Sequence, residues 1–404
     1  MTMPGPLAGV RIVDMTTVLF GPYATMLLGE LGADVIKVES FDGDSTRNTG
    51  PARHPGMAAV FLNSNRNKRS ICVDLKRPEG REIVLGLTAQ ADVFVTNVRP
   101  KAVARLGLAY PAVKERNARI VYCSAVGYGQ SGPYADYPAF DDTIQAMSGT
   151  AALQAEFAGV PQYVAGALAD KSSGLMLALA LLAAVRHAEK TGEGQEVEVP
   201  MFETMVSLNL VEHLFGRTFV PPLGEARYPR VVSKFRRPYK TLDGYLAVLP
   251  YNDMQWQRFF TAIDKPELMQ EPRFATMAER TLNIDGLYEL LADAIATRTS
   301  AEWLALLHKN DIPCVPVKTM TELVDTDEHL KQTGYFQQVD HPSEGKLISA
   351  STPIRMSKTH VGIHGHAPRL GQHSSQILEQ LGYSAEEVAT LMQQGVVRGE
   401  NTQG

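Results

Sequence analysis

Asp170 stands at the head of a long apolar stretch, GALADKSSGLMLALALLAAVRHAEKTGEG. Two chemistries fit an aspartate in that place. Just before a helix, its carboxylate caps the free amides of the first turn. Aimed away from those amides and into a pocket, the same group is a covalent nucleophile, steadied by the positive end of the helix. Spacing alone favours the cap and leaves the nucleophile open. A second segment invites a different chemistry. Residues 127–132 read GYGQSG, a literal G-x-G-x-x-G directly after the apolar run RIVYCSAV. A dinucleotide site needs a helix to open within that motif and an acidic residue about 20 positions on. Here Pro133 and YADYP follow at once, with no such acidic residue. The segment therefore reads as a glycine-rich loop, where backbone can approach a ligand closely. No nicotinamide or flavin site is expected.

Basic residues gather in three places: Arg66, Lys68 and Arg69 in NSNRNKRS, Lys76 and Arg77 just beyond, and Arg99, Lys101 and Arg105 in NVRPKAVARLG. The last two groups follow predicted strands. Strand carboxyl ends border the ligand crevice of an open parallel sheet, so cations there can converge on phosphates. As single residues they read equally as solvated surface charge. Lys76, Asn97 and Arg105 are the favoured ligand contacts. The histidines form no zinc-type motif, and no G-x-S-x-G elbow occurs, so neither a metal nor a serine hydrolase is expected.

The elements that must position these residues alternate in type. Short apolar runs at 9–15, 33–39, 70–75, 91–97 and 119–126 read as strands, and GQEVEVPM (194–201) as a further one. Between them lie helical patterns. The first has Ala24, Leu27, Leu28 and Leu31 at i, i+3, i+4, i+7 after Gly21-Pro22. That alternation predicts crossover units and a parallel, doubly wound α/β sheet. Helices are expected over most of 142–190 and over 202–215. The Pro- and Arg-rich stretch 216–238 reads as a linker, and YKTLDGYLAVLP (239–250) as a hairpin turning at Asp243-Gly244. A large domain is thus expected from 1–220 and 340–404, and a smaller α+β domain from 225–335. The linkers are about 216–238 and 335–345.

Bulk properties exclude several classes. The 404 residues exceed one core, which predicts two domains. Charged residues are 21% and the formal net charge is −5, so neither nucleic acid nor an anionic membrane is an expected partner. The three cysteines, Cys72, Cys123 and Cys314, lie far apart, which fits a reducing cytoplasm. The N-terminus carries no signal-peptide pattern. The longest apolar run, Gly174 to Arg186, is about half a membrane span and reads as a core helix.

Taken together, the motifs resemble the class III CoA-transferases (CaiB/BaiF type), which include formyl-CoA and carnitine CoA-transferases. The resemblance runs through GPYATMLLGELGADVIKVE (21–39), NKRSICVDLKRPEGRE (67–82), NVRPKAVARLGL (97–108), GYGQSGPYADYPAFDDTIQAMSG (127–149), GALADKSSG (166–174), TGEGQEVEVPMFET (191–204) and PRLGQHSSQILEQLGY (368–383). It implies a Rossmann-like large domain built from both chain ends, a small domain from the middle, and an interlocked homodimer. It makes Asp170 the catalytic residue. It places coenzyme A against Lys76, Asn97, Arg105 and Tyr128, where residue types agree with the family. It also implies contacts at Leu19, Phe20, Ser40, Val73, Val98, Arg99 and Val126, where types differ from the formyl-CoA enzyme. That enzyme's glycine-rich shielding loop has no counterpart in FRRPYKTLDGYLAVLPYND (235–253). The YKTLDGY and HPSEGKLISASTPIRMSK segments look more like members that use succinyl-CoA and dicarboxylic acids. The implied reaction is a double displacement through a mixed anhydride and an aspartyl-CoA thioester, with glycine-rich backbone amides as candidate oxyanion donors. Coenzyme A is then a substrate, with no permanently bound cofactor. Two alternatives are an α-methylacyl-CoA racemase and a non-catalytic CoA-binding partner subunit. The racemase branch needs a histidine where this chain has Phe140 in Ala139-Phe140-Asp141, and Phe cannot move a proton.

Overall fold

The computed structural model describes residues 5–399. Among these, twelve strands form in chain order: β1 (Arg11–Met15), β2 (Asp34–Glu39), β3 (Lys68–Val73), β4 (Val93–Thr96), β5 (Val121–Val126), β6 (Gln195–Pro200), β7 (Tyr239–Lys240), β8 (Tyr245–Val248), β9 (Cys314–Pro316), β10 (Phe336–His341), β11 (Gly345–Ala350) and β12 (Val397–Arg398). The helices of the first half are α1 (Phe20–Glu30), α2 (Ala59–Ser64), α3 (Pro78–Ala89), α4 (Pro100–Arg105), α5 (Tyr110–Arg116), α6 (Asp141–Met147), α7 (Thr150–Ala158), α8 (Leu168–Thr191) and α9 (Met201–His213).

The chain divides into two units. The first takes the described residues up to Met147, Gly166–Met205, and the described residues from Glu328 onward. Its sheet runs β12-β3-β2-β1-β4-β5-β6, parallel throughout except for β12, which pairs antiparallel with β3. Successive side chains on each strand enter opposite layers, as the pleat requires. Ile12, Val35, Val93 and Val95 face a core shared with α1 and α8. Val13, Ile36 and Phe94 face one built with α3, α4, α5 and the C-terminal helices Ser374–Gln380 and Ala385–Gln393. The sheet is therefore doubly wound, in a Rossmann-like strand order. Because β1 pairs with β2 on one side and β4 on the other, the crevice beyond the carboxyl ends of β1 and β4 is the topological switch point.

The second unit comprises 148–165 and 206–327. A three-stranded antiparallel sheet, β7-β8-β9, packs with helices Asp253–Ala262, Ile284–Ile295 and Ser300–Lys309 around Trp256, Phe259, Phe260 and Trp303. Capping boxes at Asn252/Gln255 and Thr299/Glu302 start two of these helices.

Several expectations need correction. Residues 148–165 and 206–220 cluster with the second unit, not the large domain. The division falls inside the continuous helix α9, whose Asn209 side chain ties back to Ser148 O (3.0 Å) and Thr150 Oγ1 (2.9 Å). The 340s hold an unforeseen hairpin, β10-β11, closed at Gly345, where φ is +66°. The apolar run 174–186 is the middle of helix α8, whose 24 residues are by length and composition alone enough to cross a bilayer. One of its faces is instead buried against α1 and the sheet through Leu177, Leu181, Ala184 and Val185.

The first basic cluster is neither a phosphate site nor solvated surface. Lys68 is fully buried, with Nζ donating to Asp14 Oδ2 (3.0 Å), Pro22 O (3.0 Å) and Asn65 Oδ1 (2.9 Å). Arg66 pairs with buried Glu30, and Arg69 with Asp34.

Candidate active site

A cavity of about 440 Å³ opens at the switch point. Its walls come from the loop after β1 and the start of α1 (Thr17, Val18, Phe20), from the loop after β4 and the end of α4 (Asn97, Arg99, Arg105), from the end of β5 and its loop (Val126, Gly127), and from Phe140 and Asp170. Asp170 is only 9% exposed.

Asp170 is not the cap of α8. The N-cap is Ala167, which has no capping side chain, and Asp170 is the third helical residue. Its backbone N–H is instead taken by Asp141 Oδ1, 2.9 Å away on α6. Gln145, one turn further along α6, holds the other Asp141 oxygen with Nε2 at 2.6 Å. A second carboxylate therefore does the capping, and Asp170 is left to face the cavity. Burial is the main reason its carboxyl is pushed up, to about 6, and the neighbouring Asp141 charge adds to it. Such a carboxylate has little solvation to lose on attack and is ionised at neutral pH.

Asp141→Asn is expected to keep the amide cap, because an asparagine oxygen accepts the same bond. It removes the negative neighbour, so the acidic limb of the kcat/KM–pH profile should move to lower pH. An unchanged limb would separate Asp141 from Asp170 electrostatically.

Helix α8 is held close to the β1 loop by Gly174, one turn beyond Asp170. A Cβ there would lie 3.0 Å from Phe20 O and 3.0 Å from Tyr23 Cδ1. The absent side chain lets the start of α1 rest on α8 beside the carboxylate.

Five of the sequence-predicted contacts share the cavity with Asp170: Phe20, Asn97, Arg99, Arg105 and Val126. Arg99 and Arg105 are exposed and place positive charge at its rim. The Asn97 amide is engaged with the loop after β1, accepting from Thr17 N (3.0 Å) and donating to Thr17 O (2.9 Å). The other six lie outside the cavity lining. Leu19 is the N-cap of α1, and Ser40 and Lys76 are exposed just beyond β2 and β3. Val98 packs on the core, and Val73 is wholly buried in it, so any ligand contact at Val73 is through backbone. Tyr128 is buried among Tyr134, Tyr137 and Phe202.

The glycine-rich loop opens no helix; the next begins at Asp141. Two of its amides are engaged by carboxylates and are not free for an oxyanion. Gly129 N donates to Glu203 Oε1 (3.0 Å) and Gln130 N to Glu198 Oε1 (3.1 Å). Gly127 is required sterically, since a Cβ there would fall 2.2 Å from Ala139 Cβ. His360 and His364 are four apart, a metal spacing only on a helix, and their segment is irregular. No group of three or more His, Cys, Asp or Glu residues among the described ones is placed to hold a metal.

The profile of CoA-transferase family III matches residues 7–374. The chain belongs to this family. Among curated relatives, the mouse succinyl-CoA:glutarate CoA-transferase is 34% identical over 98% of this chain and 91% of its own length. The succinate–glutarate CoA-transferase of Agrobacterium fabrum is 32% identical over 93% and 96%. An Escherichia coli formyl-CoA:oxalate CoA-transferase is 32% identical over 97% and 99%. Among solved structures, Rv3272 from M. tuberculosis aligns with a TM-score of 0.81 at 30% identity, covering 93% of this chain and 99% of that one. A CaiB/BaiF family protein from Brucella suis aligns at 0.76 and 33%, covering 94% and 100%. The chain is thus an enzyme of the CoA-transferase type, whose substrates are CoA thioesters and carboxylic acids.

Proposed function

We propose that this enzyme moves CoA from succinyl-CoA to a second, dicarboxylic acid through covalent intermediates on Asp170. One observation carries the reading: Asp170 is relieved of capping by Asp141 and faces the cavity at the switch point. An Asp170 oxygen attacks the thioester carbonyl. The C–S bond breaks, giving a mixed anhydride and CoA thiolate. The thiolate then attacks the aspartyl carbonyl, and the anhydride C–O bond breaks to release succinate. The aspartyl-CoA thioester so formed is attacked by the acceptor carboxylate, and the same two steps in reverse return Asp170 and a new acyl-CoA. Each step exchanges groups of similar reactivity, provided water is kept from the activated carbonyl. Arg99, Arg105, Lys76 and Asn97, with the backbone around Leu19, Phe20, Ser40, Val73, Val98, Val126 and Tyr128, bind the coenzyme in this reading.

The succinyl donor and dicarboxylic acceptor are supported by relatives that carry succinyl-CoA:glutarate and succinate–glutarate transfer in their names. A cytoplasmic homodimer of interlocked chains, as the family resemblance implies, completes the proposal. Apolar surface left bare supports contact with a second copy: Leu175 and Leu179 on α8 within the first unit, and Val211 and Val220 within the second. Incubating the enzyme with succinyl-CoA and a panel of mono- and dicarboxylic acids, read by mass spectrometry, tests the substrate class. New CoA thioesters should form chiefly with dicarboxylic acids. Preference for formate, oxalate or long-chain monoacids would overturn that part, and no exchange with any acid would favour a binding role.

A further inference from the structure

Three successive residues of the loop after β1 are each held by side chains of the strand itself, of β2 or of the loops that follow β2 and β4. Thr16 N and Oγ1 donate to Asp14 Oδ1 at 3.0 and 2.5 Å, and Thr16 O accepts from Lys37 Nζ at 2.8 Å. Thr17 is held at both backbone atoms by Asn97. Val18 N donates to Asp44 Oδ1 at 3.2 Å. Asp44 and Lys37 are themselves a pair, 2.9 Å apart with both side chains fully buried. Asp44 is further fixed by Thr46 N (3.0 Å) and Thr46 Oγ1 (2.8 Å), and its own amide by Glu39 (3.1 Å).

The grip holds an unfavourable conformation. Val18 has φ = +69°. A β-branched residue in the left-handed region is a steric outlier that persists only where its surroundings over-determine it. Thr17 and Val18 line the cavity that contains Asp170, and Phe20, two residues on, lines it as well. Phe20 also begins α1, where its carbonyl meets Gly174 of α8. The left-handed turn at Val18 thus decides where the start of α1 meets the turn of α8 that carries Asp170.

We infer that Asp44, backed by Lys37, is a positioning residue for the transferase. It holds Val18 in a strained turn so that the loop after β1 forms the wall of the cavity facing Asp170. This rests on the transferase reading given above. Without Asp44, Val18 relaxes out of the left-handed region and the wall moves. A glycine at the same place does not resist that region and needs the grip less.

The test is a double-mutant cycle on the full chain with Asp44→Ala and Val18→Gly, using succinyl-CoA and the acceptor acid found best in the panel above. Asp44→Ala should lower kcat at least 10-fold in the Val18 background, with a smaller change in KM for succinyl-CoA. In the Val18→Gly background the same change should cost at least 3-fold less, whatever rate Val18→Gly itself shows. Equal losses in both backgrounds would make Asp44 merely structural and overturn the inference. A second measurement stands even if Asp44→Ala does not fold or the wild type exchanges no CoA. Val18→Gly should melt at a higher temperature than Val18→Ala, because both lose the side chain and only alanine keeps the Cβ penalty. The reverse order would show that Val18 is not held in the left-handed turn.

Discussion

Asp170→Asn is expected to remove CoA transfer, by roughly 10⁴-fold or more as for other covalent nucleophiles, and to make the protein more stable at pH 8. The two effects have one cause. The Asp170 carboxyl is pushed up to about 6 from an ordinary value of 3.8, first by burial and then by Asp141. A folded-state pKa above the unfolded one means the folded protein holds the proton more tightly. Stability is full below about pH 4, where both states hold the proton, and it is lost as pH rises through 6, where the folded state must carry a buried charge. At pH 8 that loss amounts to about 1–3 kcal/mol. Asparagine never carries the charge, so the variant's advantage should be full at pH 8 and fade between pH 6 and 4. Thermal or urea unfolding across that range checks it. If Asp170→Asn unfolded more easily than wild type at pH 8, the carboxylate would be stabilising, and the picture of a strained nucleophile would fall. The activity profile follows the same titration: kcat/KM should rise with pH through about 6 as Asp170 ionises.

The second large effect concerns the buried charges beneath the site. Asp14 and Lys68 are both fully buried and 3.0 Å apart. Burial would raise the Asp14 carboxyl, but the ammonium groups of Lys68 and Lys37 and the hydroxyls of Thr16 and Thr25 override it and hold it at about 2. Removing one partner of such a pair leaves a buried charge uncompensated, which costs about 3–5 kcal/mol. Asp14→Ala and Lys68→Ala are each expected to lower stability by that amount. A double replacement by apolar residues of similar volume should be milder than either single change. Because the folded carboxyl titrates below its unfolded value, Asp14's contribution is complete above about pH 4 and disappears as pH falls toward 2. Equilibrium unfolding in urea at pH 7 and pH 3 measures both statements. Losses below about 1 kcal/mol for the single variants would mean that water reaches the pair.

Much of the architecture is legible in the sequence because it rests on local periodicity. β1, β2, β4 and β5 are short apolar runs flanked by turn signals, and α1 carries its stripe at i, i+3, i+4, i+7. The pattern of β12 is invisible for the opposite reason. It is two residues long, and it pairs with β3 across more than three hundred residues of chain. The hairpin β10-β11 has half-exposed faces with weak alternation, so nothing separates it from a linker.

The site divides in the same way. Arg99 and Arg105 are readable as cations after a strand. The opposite fate of Lys68 is not, since its partner Asp14 lies 54 residues earlier and only pairing of the strands brings them together. Asp170 is ambiguous on spacing because an aspartate at a helix start has an ordinary use. The ambiguity is resolved by Asp141, 29 residues earlier, which takes over that use. The two adjacent aspartates of PAFDDT were the available signal, and they read only as the start of α6. Val18 gave no signal at all, because a valine in a strand-to-helix loop does not announce a left-handed turn.

The central claim is that Asp170 becomes covalently acylated. The most direct measurement is to mix the enzyme with succinyl-CoA, quench with hydroxylamine, digest, and locate the modified residue by mass spectrometry. An activated aspartyl carbonyl is predicted to give a hydroxamate on Asp170 only when succinyl-CoA is present, and none in Asp170→Asn. A hydroxamate on another residue, or exchange activity that survives in Asp170→Ala, would contradict it.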